Sequence, residues 1–104
     1  MHIPSPEDPE VQYDELVDKL VETLLTMKTK REVRHVLESV LSDTELAYAA
    51  KRLEIAVLLK QGLTQIQIAF QIGVAFATVE SISRVIKLGK YKFIWRNVEI
   101  ISWQ

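Results

Sequence analysis

The sequence predicts an all-α fold with a helix-turn-helix at its centre. Three observations predict it. The three prolines (Pro4, Pro6, Pro9) all fall in the first nine residues and only three glycines follow, so nothing from Val11 onward forbids helix. Apolar residues recur mostly at helical rather than alternating spacing. Three stretches of capping-box form begin at Thr29, Ser42 and Thr64, each with a hydroxyl three residues before Glu or Gln.

The 104 residues suffice for one domain with one core. We expect a flexible N-terminal arm over residues 1–10 and a single helical domain over 11–104. Hydrophobic residues make up 48% and charged residues 26%, the balance of a soluble globular chain. There is no cysteine, which excludes disulfides and thiolate chemistry. The start is Pro-rich and acidic, unlike a secretory signal. No apolar run is long enough to span a membrane. The expectation is a soluble, cytoplasmic protein. The net charge of −1 conceals a split. Residues 1–50 hold five Lys/Arg and eleven Asp/Glu, whereas residues 51–104 hold eight and three. Such asymmetry fits a second half that approaches a polyanion, and equally a chance distribution of solvated charge.

Helix one is expected from Val11 to Met27. Its Leu16, Val17, Leu20, Val21, Leu24 and Leu25 span roughly 180° of the circumference at about 100° per residue, enough to face two neighbours. Helix two follows the Thr29 box, with Val33, Val36, Leu37, Val40 and Leu41 on one face. Helix three follows Ser42 and stops before Gly62. Its run Ile55-Ala56-Val57-Leu58-Leu59 is apolar on every side, which places it in the centre of the core. Helix four is expected over Gln65–Ile72, between the Thr64 box and Gly73, stapled by Leu63 and Ile68. Helix five runs from Ala75 or Phe76 to Leu88, before Gly89. In the tail from Lys90 to Gln104, Tyr91, Phe93 and Trp95 alternate like a strand, while Tyr91, Ile94, Trp95, Val98 and Ile101 fit a helix. With no other strand to pair with, helix is the expectation.

Residues 64–88 carry the functional signal. A small residue, Ala69, lies four positions before Gly73, with Val79 and Ile82 six and nine after it. Ala69 permits a close helix crossing, and Gly73 can take the positive φ that a short turn demands. Ile68, Ile72, Val74, Val79 and Ile82 would hold the pair to the domain. This is helix-turn-helix spacing, in which the N-terminal end of the second helix enters the DNA major groove. Two core helices that happen to meet at a glycine would look similar.

The flanks extend the signal. Leu41-Ser42-Asp43-Thr44-Glu45, Lys51-Arg52-Leu53-Glu54-Ile55-Ala56 and Leu58-Leu59-Lys60-Gln61-Gly62 resemble the central helix of the Trp repressor family. Thr64-Gln65, Ile68-Ala69, Ile72-Gly73, Ala77-Thr78-Val79 and Ile82-Ser83-Arg84 resemble its helix-turn-helix. The resemblance covers residues 41–89, and the N-terminal helices in layout. It is closer to the regulators of unassigned ligand in that family than to its tryptophan-binding member. It implies an all-helical, intertwined homodimer that binds double-stranded DNA as a transcriptional regulator, most simply a repressor. In the tryptophan-binding member two arginines clamp the indole. Arg52 matches the first, and Ser81 stands at the second. The clamp is therefore incomplete, tryptophan is not expected to bind, and any other small-molecule corepressor stays open.

Within the motif, Gln65 and Gln67 can reach phosphates or base edges, although Gln67 can equally serve as the capping partner of Thr64. Phe76, Ala77 and Thr78 are expected to face the groove. Phe76 can meet a thymine methyl group, or be buried in the core or a dimer contact. Thr78 can contact DNA or bond its own helix. Glu80 would repel phosphate unless it accepts from a cytosine amino group. Arg84, Lys87, Lys90 and Lys92 supply the cations, either for phosphates or as a solvated face. Ile66 stands where the resemblance leads one to expect a polar or basic residue. His2 and His35 have no partner at ligand spacing, so no metal or cofactor is expected. No nucleophile, general base or Gly-rich phosphate loop stands out, so an enzyme is not expected. A second reading is a protein-interaction module that keeps the scaffold and has lost the DNA surface, motivated by Ile66, Glu80, Ser81 and the aromatic tail.

Overall fold

In the computed structural model, residues 9–90, Lys92 and Arg96 are described. Among them are five helices and no strand: α1 (Pro9–Leu25), α2 (Lys30–Val40), α3 (Asp43–Lys60), α4 (Gln65–Ile72) and α5 (Phe76–Lys87). The all-α expectation holds. Residues 1–8 of the expected arm lie outside the described residues. So does most of the expected tail helix, of which Lys90, in a turn, and Lys92 and Arg96, both helical, are described. The chain divides into two compact units, residues 1–43 and 44–104.

In the first unit, α1 starts at Pro9, two residues earlier than expected. Proline suits a first helical position, where its missing N–H would be unpaired in any case. The helix ends at Leu25, where the Thr26 and Met27 N–H groups bond back to the Thr23 and Leu24 carbonyls. The Thr29 box forms as the spacing predicts. The Glu32 N–H donates to Thr29 Oγ1 (3.1 Å), and Glu32 Oε1 accepts from the N–H groups of Thr29 (3.2 Å) and Lys28 (2.7 Å). Arg34 and Glu38, one turn apart, pair at 2.9 Å. Neither α1 nor α2 has a buried residue, and Leu16, Val17, Val21 and Leu25 are exposed.

The second unit holds the core. Ile55 and Leu58 of α3, Ile68 of α4, and Val79 and Ile82 of α5 form one buried cluster. Leu59, Leu63, Ala69, Ile72, Val74 and Ile86 pack against it. Ile55 to Leu58 are all buried, as their unbroken apolar run requires. α3 closes in a Schellman motif. The Leu63 N–H reaches the Leu58 carbonyl (3.2 Å) and the Gly62 N–H the Leu59 carbonyl (3.1 Å), with Gly62 at φ +96°. Leu63 and Leu58 thereby share the core, the apolar contact that accompanies this motif.

Candidate nucleic-acid interface

Local chemistry assembles the motif in order. The Gln67 N–H donates to Thr64 Oγ1 (3.1 Å), and the Thr64 N–H donates to Gln67 Oε1 (2.9 Å). Gln67 is thus the capping partner of Thr64, which leaves its amide NH2 for other contacts. α4 runs two turns to Gly73, at φ +79°. There the Ala69 carbonyl accepts from the N–H groups of both Gly73 (3.0 Å) and Val74 (3.1 Å). The chain reverses, and Ala75 caps α5 without a side-chain hydrogen bond. The N-terminal N–H groups of α5 are therefore left without a side-chain acceptor. α4 packs on α5 through Ile68, Val79 and Ile82, each at most 2% exposed.

Burying Val79 and Ile82, with Ile86 half-buried on the same side, fixes which face of α5 looks outward. Phe76, Ala77, Glu80, Ser81, Arg84 and Lys87 are all exposed and share that outer stripe at helical spacing. Thr78 and Gln65 are half-buried. Phe76 is 45% exposed, which resolves its alternatives within this chain against the core. It lines an open apolar cleft of about 690 Å³ with Ile66, Ala69, Phe70, Gly73 and Val74. Phe70 is 91% exposed and Ile66 71%. The sequence reading had no expectation for Phe70. Its signal was available, because Ile66 and Phe70 lie one turn apart on the face of α4 opposite the buried Ile68.

Cations gather at the other end of α5. Arg84 and Lys87 occupy its last turn, where the helix dipole favours positive charge. Gly89, at φ +89°, closes the helix in the same pattern as Gly62: the Lys90 N–H reaches the Val85 carbonyl (3.1 Å) and the Gly89 N–H the Ile86 carbonyl (2.9 Å). Lys87, Lys92 and Arg96 then line one groove of about 480 Å³ with Ile86 and Gly89. Arg96 was not among the expected site residues, because the period of the tail could not be read. Lys90 is exposed.

The two residues placed at a ligand clamp are both exposed. The Arg52 guanidinium carbon lies 5.2 Å from the centroid of the Tyr48 ring, one turn earlier on α3. This is a cation–π pair, and Tyr48 was missed although its i, i+4 spacing announces it. Among the described residues no three His, Cys, Asp or Glu gather as a metal site. None of the described helices is long and apolar enough to cross a membrane.

A family model described as Trp repressor protein matches residues 15–95. No curated protein and no solved structure gives a significant match.

Proposed function

Because the chain belongs to the Trp repressor family, whose members are helix-turn-helix DNA-binding regulators, we propose that it is a homodimeric, sequence-specific transcriptional regulator, acting as a repressor. The observation that carries this reading is the outer stripe of α5. It presents Phe76, Ala77 and Glu80 near the end that enters a major groove, and Arg84 and Lys87 at the end that can reach phosphates. Lys90, Lys92 and Arg96 extend the cationic end. Gln65 and the free amide of Gln67 lie at the start of the first motif helix, where the backbone is crossed. Tryptophan is not the ligand, since Ser81 has no guanidinium to complete a clamp with Arg52, and titration calorimetry with tryptophan should give no saturable heat at micromolar concentration.

The test is selection of binding sites from random duplexes, followed by titration of the winning site at several salt concentrations. With about three phosphates neutralised per protomer, the slope of log K against log salt for a dimer should lie near −5. Lys87→Ala should weaken all duplexes alike and flatten that slope by about 1 to 2 per dimer. No binding to any duplex at about 50 mM salt, a concentration at which phosphate contacts are strong, would sink the reading. The second reading, a protein-interaction module, is favoured by one observation, the apolar cleft in which Phe70 stands 91% exposed.

A further inference from the structure

Between Gln61 and Ser83 the chain has one ionisable side chain, Glu80. The whole first helix of the motif and the leading turns of the second therefore carry no Arg or Lys. The commonest base-specific contact in the major groove, Arg or Lys on guanine O6 and N7, has no donor there. Beside Glu80 and the hydroxyls of Thr78 and Ser81, this stretch presents side chains of two kinds. One is apolar: Ile66, Phe70, Val74 and Phe76 around the cleft. The other is amide: Gln65 and Gln67 at the start of α4, of which Gln67 has one acceptor site of its oxygen taken by the Thr64 N–H.

Each kind matches one feature of one base pair. The thymine C5 methyl is the apolar group that the major groove displays, and a glutamine amide pairs with adenine N6 and N7. Both belong to the A·T pair. Phe76 is the first residue of α5, at the end that enters the groove, and it is nearly half exposed. Ile66 lies on the same cleft, 71% exposed. We infer that this motif reads A·T pairs and does so through thymine methyl groups seated against Phe76 and Ile66, rather than through guanine. The inference rests on the DNA-binding reading above. It also accounts for the exposed apolar cleft, since methyl contact removes that surface from water.

Replacing thymine by uracil removes the methyl and leaves every hydrogen-bonding group of the pair in place, so it isolates the contact. Duplexes are first selected from a random pool, and the winners are then synthesised with uracil at single thymines. Selected sites should be A·T-rich under α5. Uracil at a contacted position should weaken binding about fourfold, the worth of one buried methyl, and uracil outside the site should change nothing. Phe76→Ala and Ile66→Ala should erase the difference between thymine and uracil duplexes. Both positions are exposed, and circular dichroism checks that the variants fold. G·C-rich winners, equal affinity for thymine and uracil duplexes, or a difference that survives both substitutions would each overturn the assignment, and leave the cleft to a protein surface. Failure to select any duplex would instead remove the DNA reading itself, a distinct result from binding that ignores the methyl.

Discussion

Glu80 stands exposed on the outer stripe of α5, one turn beyond Phe76. A carboxylate in a groove walled by phosphates is repelled, and the next cation on the stripe, Arg84, lies one turn further from the leading end of α5. The expected outcome for Glu80→Thr is tighter binding to every duplex, by about three- to fivefold, the scale of one exposed charge interaction. Gel-shift titration on several unrelated duplexes measures this. If the variant instead loses affinity at one base position and keeps it elsewhere, Glu80 accepts from a cytosine amino group and is part of the readout. At the same scale, the Arg52 guanidinium lies over the ring of Tyr48, an aromatic partner one turn earlier in its own helix.

The helices owe their ends to a few local devices, and these can be tested singly. Thr64 holds the start of α4 through a reciprocal pair of hydrogen bonds. Thr64→Ala should lower stability by about 1 kcal/mol, and Thr64→Ser should be close to neutral. Gly73 tests a different cause. A Cβ there would meet nothing within 4 Å, so space is not the constraint. Its φ of +79° is, because L-residues in that region are strained. Gly73→Ala should therefore cost about 1–2 kcal/mol in urea unfolding despite the open surroundings. An unchanged unfolding midpoint would mean that the turn relaxes to another conformation. Because Gly73 sets the direction in which α5 leaves α4, the same variant should also impair DNA binding.

At the scale of the whole molecule, the apolar surface left uncovered sets the expectation. The first unit has no buried residue among those described, yet α1 exposes Leu16, Val17, Val21 and Leu25. Two short helices that bury so little cannot offset the entropy of ordering them. In the homodimer proposed above, a second copy would supply matching apolar stripes under two-fold symmetry. Light scattering after gel filtration should give about twice the 12.0 kDa of one chain. The melting temperature should fall on dilution, because assembly and folding are linked. A clean monomer with a concentration-independent melt would sink the intertwined dimer.

Helix positions and the motif were legible in the sequence because their causes are local. Capping boxes at Thr29 and Thr64, and left-handed glycines at 62, 73 and 89, act over three to five residues, and each ended or began a helix within two residues of its expected place. The burial of Ile55 to Leu58, Ile68, Val79 and Ile82 was legible for the same reason, since period and composition decide a helix face. The surface of the site was a different matter. That Phe76 stands beside Ile66 and Phe70 in one cleft, and that Arg96 joins Lys87 and Lys92 in one groove, depends on how the helices cross and where the chain leaves α5. Those relations join residues on separate helices or beyond a helix end, where no periodic signal reaches. Sequence by itself determined the helices, their ends and their buried faces, while tertiary packing alone decided which outward side chains of different helices meet.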